Sequence, residues 1–143
     1  MGQIPINFFT EDISFNLKQK GLVRTWIRNT IIAENHRLRL LNFIFCSDAY
    51  LLNINQQYLK HDSYTDIITF DNSDMEQEIV GDIFISLDRI RENAKELDVN
   101  ETDERHRVMV HGTLHLLGYP DKGKSAKALM TEKEDLYLSK RAT

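Results

Sequence analysis

Hydrophobic and polar positions fall along this chain in blocks that read as strand, helix, strand, helix, two strands and then helices. Ile4–Phe8 reads as a short first strand. From about Asn16 to Glu34, Val23, Trp26, Ile27 and Ile31 recur at helical spacing and define one buried face. Arg37–Ser47 reads as a strand. Within it Leu40–Cys46 is apolar apart from Asn42, the pattern of a central strand covered on both faces. Asp48 stands where it would cap a short helix running to about Gln57. Thr65–Phe70, rich in β-branched residues, and Val80–Ser86 read as the next strands. The acidic, polar Asp71–Glu78 separates them as a loop. Leu87, Ile90, Ala94 and Leu97 mark an amphipathic helix. A long helix follows from about Thr102 to Leu117, with Gly118 to end it and Pro120 to prevent its resumption. The last helix covers Lys124–Lys140, with Leu129, Lys133 and Leu136 near one face. The fold expected is α+β, one mixed sheet of about four strands packed by about five helices.

Composition narrows the class. At 143 residues the chain is one domain, spanning 1–143, and large enough to bury a core without staples. No apolar run is long enough to cross a membrane, and the N-terminus lacks the pattern of an export signal. The single cysteine, Cys46, lies in an apolar run and reads as a buried small hydrophobe, so a reducing cytoplasm is the expected setting. A net charge of −4 argues against a protein that coats nucleic acid by charge alone. It leaves room for a local basic patch. Lys20, Arg24 and Arg28 recur every four residues, followed by Arg37 and Arg39. Such a stripe either tracks phosphates or is a solvated helix flank.

The stretch HGTLHLLGYPD, residues 111–121, carries the candidate chemistry. His111 and His115 are four apart on a helix, so both imidazoles project from one face. A catalytic zinc needs a third protein ligand and an open fourth position. Asp121 supplies the third: Gly118 permits a positive φ, and the chain can reverse and bring the carboxylate back. One zinc ion per chain is therefore expected, on a helix and the turn after it. Zinc peptidases of this spacing carry Glu directly after the first histidine; here that position is Gly112, against a metallopeptidase. His36, His61 and His106 have no comparable setting, and His106 is expected to be solvated. Asp66 and Asp82, each in a strand-like segment, read as strand-end residues bonding to backbone amides. Tyr119 either lines the metal site or packs against the final helix.

With these residues in view, HGTLHLLGY resembles the signature of the YbeY family of bacterial endoribonucleases. LLNINQQYLKHDSYTDIITF (residues 51–70) and VGDIFIS (residues 80–86) resemble further blocks of that family at fitting spacing. The resemblance spans about residues 40–138. It implies an α+β, metal-dependent, single-strand-specific endoribonuclease in the cytoplasm. The implied task is maturation of the 16S ribosomal RNA 3′ end and ribosome quality control. The implied partners are ribosomal RNA and the small ribosomal subunit, with no membrane and no small-molecule cofactor. Its first two metal histidines fall on His111 and His115, and its third, usually histidine, falls on Asp121. Many members have arginine after the tyrosine; here Tyr58 is followed by Leu59, and Lys60 or His61 would have to supply that charge. The competing readings are a ribosome-assembly factor with a structural zinc and a zinc metallopeptidase.

Overall fold

The computed structural model describes residues 3–58 and 65–141. Among these, the strands are β1 (Ile6–Thr10), β2 (Arg37–Cys46), β3 (Ile67–Asp71) and β4 (Glu78–Ser86). The helices are α1 (Lys20–Ala33), α2 (Asp48–Tyr58), α3 (Leu87–Leu97), α4 (Glu101–Leu116) and α5 (Lys124–Leu138). The strands make one mixed sheet, as the sequence pattern predicts, and its order is β1-β2-β4-β3. β1 and β4 run parallel to β2, while β3 is antiparallel to β4. Helices bridge the parallel pairs, since a parallel connection must cross from one end of the sheet to the other.

One sheet face carries the main core. Leu41, Phe43, Phe45, Ile83 and Ile85 pack there with Ile27, Ile31, Ile90, Met109 and Leu114 from α1, α3 and α4. On the other face α2 covers a smaller cluster of Cys46, Leu51, Ile54 and Ile68. Among the described residues, no helix covers the rest of that face. Phe9 and Leu40 are exposed, and a row of side chains runs from β1 through β2 and β4 to Asn72, just past β3. Asn7 donates to Asn42, and Asn42 and Asn72 both donate to Asp82. β2 is thus central but doubly covered only towards its C-terminal end, because α2 is too short to shield the remainder. Asp82 takes side-chain amides rather than the backbone amides expected of it.

Other boundaries and faces also differ from expectation. β1 starts at Ile6, because Pro5 lends only its carbonyl to Leu41. α1 starts at Lys20: Gln19 is left-handed (φ 58°) and cannot belong to a helix continued from Asn16. Ser47, not Asp48, caps α2 by accepting from Tyr50 N, and the Asp48 carboxylate is held by Arg89 at 3.0 Å. On α5, Leu129 and Leu136 are exposed while Met130, Glu134 and Tyr137 face inward. His106 is not solvated. Its ring packs on Trp26 with centroids 5.4 Å apart, and Arg141 donates to its Nδ1 at 2.9 Å. Burial, then the Arg141 and Arg105 charges, push this imidazole down to about 4. Cys46 is fully buried, as expected, and burial followed by nearby acids pushes its thiol up to about 12.

α4 crosses the sheet at close range through two glycines. A Cβ on Gly112 would lie 2.6 Å from Ile67 Cδ1, and one on Gly81 would lie 2.8 Å from the Phe70 carbonyl and 2.9 Å from Leu116 Cδ1. The missing side chains let the C-terminal half of α4 settle on β3 and β4, with its histidine face turned outward.

Candidate metal centre

α4 is well defined at both ends. Asn100 caps it by accepting from Asp103 N at 2.7 Å. At the other end Gly118 takes φ 105°, Gly118 N bonds to the His115 carbonyl and Tyr119 N to that of Leu114. That pair of bonds is a Schellman motif, which ends the helix and turns the chain sharply. The turn brings Asp121 back over the last two helical turns. Leu114 and Leu117 are buried beneath, so the platform is anchored.

Three atoms converge there. His111 Nε2 and His115 Nε2 are 3.0 Å apart, and Asp121 Oδ2 lies 3.4 Å from the first and 3.3 Å from the second. Ligands about 2.0–2.1 Å from a tetrahedral zinc are separated by about 3.3–3.4 Å. The three atoms therefore stand at the spacing of one face of such a tetrahedron, and the group could hold a metal ion. Proton placement agrees. His115 Nδ1 faces the Tyr119 carbonyl at 2.9 Å, which only accepts, so that nitrogen carries the proton and Nε2 presents its lone pair. His111 Nδ1 faces Glu134 Oε2 at 2.6 Å and is oriented in the same sense. Two imidazole lone pairs and a carboxylate oxygen so close together repel unless a cation or proton lies among them. The site is half-open: side-chain exposure is 21% for His111, 25% for His115 and 40% for Asp121.

A second layer supports these side chains. Glu134 is buried on α5 and also accepts from Arg107 Nη1 at 2.8 Å, whose other nitrogen bonds Asp135. Carboxylate partners of this kind fix the ring and raise its basicity. Burial would lower the His111 imidazole, but the Glu134 hydrogen bond and charge, then Asp121 and Asp66, raise it above its ordinary value. Asp66 stands directly before β3 and bonds to a backbone amide, as expected, and it also lies within the field of this site. Burial raises its carboxyl, against the His111 charge. On the opposite side Glu34 accepts from Tyr119 Oη at 2.5 Å, from Tyr137 Oη and from Lys133 Nζ at 3.1 Å.

Of the residues read from sequence, the structure brings together His111, His115 and Asp121. Tyr119 does both things expected of it: its carbonyl is in the site and its ring lies beside Lys133 of α5. Sequence reasoning missed Glu134, Arg107 and Glu34. Arg107 lies four before His111 on the same helix face and was open to discovery by spacing; the two glutamates carry no local signal.

Comparison with known proteins decides the family. The model of the family described as endoribonuclease YbeY matches residues 6–142. The chain belongs to the endoribonuclease YbeY family. A YbeY protein of Cytophaga hutchinsonii, bearing the family's name, is 49% identical over 99% of both chains. One of Flavobacterium psychrophilum is 46% identical over 89% of this chain and 90% of its own. The solution structure of a Thermotoga maritima protein superposes with a TM-score of 0.65 at 28% identity, covering 94% of this chain and 87% of that one.

Leu59, Lys60 and His61, where the family arginine and its substitutes were sought, lie outside the described residues. The basic stripe is only partly free. Lys20 is exposed, but Arg24 donates to the Ile6 carbonyl at 2.8 Å and lies over the Phe8 ring, and Arg37 and Arg39 pair with Glu78. No helix among the described residues is long and apolar enough to cross a membrane.

Proposed function

We propose that this chain, as one domain over residues 1–143, is a metal-dependent endoribonuclease that cleaves single-stranded RNA. His111, His115 and Asp121 hold one ion, zinc by the choice of donors. The observation that carries this reading is the convergence of two imidazole Nε2 atoms and one carboxylate oxygen within 3.4 Å. A divalent cation bound there would supply Lewis acidity towards a phosphodiester and a positive charge beside the Asp121 and Glu134 carboxylates. The chain's own residues do the rest. Glu134 and the Tyr119 carbonyl hold the imidazoles in one tautomer, and Arg107 keeps the buried Glu134 compensated. Family membership supports RNA as the substrate, with 16S 3′-end maturation, ribosome quality control, the small subunit as partner and a cytoplasmic setting.

The half-open site favours catalysis over a closed structural zinc. The metallopeptidase reading also loses ground. Gly112 packs against Ile67 and Ile83, so a glutamate there would enter the core rather than the site. The test is metal analysis joined to cleavage. Purified wild type should carry one zinc per chain and cut single-stranded RNA but not unstructured protein. A chelator should stop it and zinc should restore it. A folded His115→Ala protein should bind ribosomes and fail to cut. A wild type that never takes up metal stoichiometrically would refute the reading.

A further inference from the structure

Glu34 lies just past the end of α1, far in sequence from the metal ligands, and its side chain is only 11% exposed. A carboxylate so withdrawn from water persists only if its lone pairs are used. Here they take three donors from two other parts of the fold: Tyr119 Oη in the turn after α4, and Tyr137 Oη and Lys133 Nζ on α5. Burial works to raise this carboxyl, and the three donors outweigh it and hold it below the ordinary carboxylate range.

Tyr119 links this cluster to the site. Its hydroxyl reaches Glu34, while its own carbonyl accepts from His115 Nδ1 at 2.9 Å. It also stands two residues before Asp121. Beside it Gly118 and Pro120 are exposed, so among the side chains of residues 118–120 it is Tyr119 that ties the turn inward, packed against the core and beside Lys133. The ring of Tyr119 is thus the peg of the ligand turn, and Glu34 is the hole. Lys133 and Glu134 are neighbours on α5, so this helix steadies Tyr119 with one residue and His111 with the next.

We propose that Glu34 is a positioning residue of the metal centre, acting through Tyr119 to set the His115 ring and the approach of Asp121; this rests on the reading that those residues bind metal. Two tyrosines on one carboxylate provide the control. Tyr119→Phe cuts the bond that leads to the ligands, whereas Tyr137→Phe cuts an equivalent bond that leads only to α5. Zinc affinity should be measured on the folded proteins by competition with a chromophoric chelator, and site geometry by the visible spectrum of the cobalt(II) forms. Tyr119→Phe and Glu34→Gln should bind zinc about 10–100-fold more weakly than wild type, with altered cobalt bands. Tyr137→Phe should keep affinity within about 3-fold, on the same scale, although its melting temperature falls. If Tyr119→Phe and Glu34→Gln lose thermal stability yet keep wild-type affinity and spectrum, the cluster is only structural and the proposal is overturned. A wild type that binds neither metal would instead bring down the reading of the site itself.

Discussion

His111 and His115 owe their readiness for a cation to what lies behind each ring. Glu134 on one side and the Tyr119 carbonyl on the other pin the protons to Nδ1 and leave both Nε2 lone pairs facing Asp121. Glu134→Ala should therefore weaken zinc about 10–100-fold without removing a ligand. Glu134→Gln, which keeps an acceptor for His111, should lose less; equal losses in chelator competition would mean that only the charge matters. Asp121 invites the opposite change. Asp121→His replaces a hard oxygen with imidazole and should move metal preference towards zinc and away from manganese. The three candidate ligands were legible in the sequence because helix geometry and one glycine turn relate them within a single stretch. Glu134 and Glu34 were not. Nothing in the residues around them says that α5 and the end of α1 will dock on either side of that stretch.

At the scale of elements, apolar periodicity located every strand and helix but misjudged faces where polar partners decide. Leu129 and Leu136 gave α5 an apparent inner face, yet Glu134 is inside because Arg107 and His111 compensate it. α1 is shorter than the expected Asn16–Glu34 because Gln19 breaks the backbone, although Leu17 ahead of it still packs into the core. The approach of α4 to the sheet yields a prediction. At Gly81 a methyl group meets backbone on one side and Leu116 on the other, so the last turn of α4 must retreat. Gly81→Ala should cost about 1–3 kcal/mol in urea denaturation and also weaken zinc, since His115 rides on that turn. Unchanged stability would show that α4 is not tightly seated. The α1–α4 contact gives a second. His106 is depressed from 6.5 to about 4, so the unfolded chain takes up its proton first as pH falls. Its contribution is full above pH 6.5 and is lost as pH drops towards 4. Allowing for a ring only half withdrawn from solvent, the loss is of order 2 kcal/mol. His106→Gln should flatten that part of the stability–pH curve relative to wild type.

For the whole molecule, the site joins a local ligand stretch to supports drawn from both ends of the chain. His111, His115 and Asp121 stay near one another even in an unfolded chain, which therefore keeps some affinity for metal. What the folded state adds is Glu134, with Arg107 paired to it, and the Glu34 cluster, contacts that only tertiary structure makes. Metal stabilises a protein only by the excess of its affinity for the folded over the unfolded form. If the support layer provides that excess, zinc acts as a clasp between α4, its turn, α5 and α1, not as a patch on one helix. At free zinc about 100 times the dissociation constant, the gain is about 2.7 kcal/mol. For a chain of this size that should raise the melting temperature by about 10 °C. With Glu134→Ala, a 10–100-fold weaker site at the same zinc concentration retains about 0.4–1.4 kcal/mol, and the rise should shrink to about 2–5 °C. Asp121→Ala should show almost none. Paired thermal scans with zinc and with chelator decide the matter. A Glu134→Ala protein stabilised as strongly as wild type would mean that the local stretch alone provides the affinity, and that the surrounding fold contributes nothing to holding the ion.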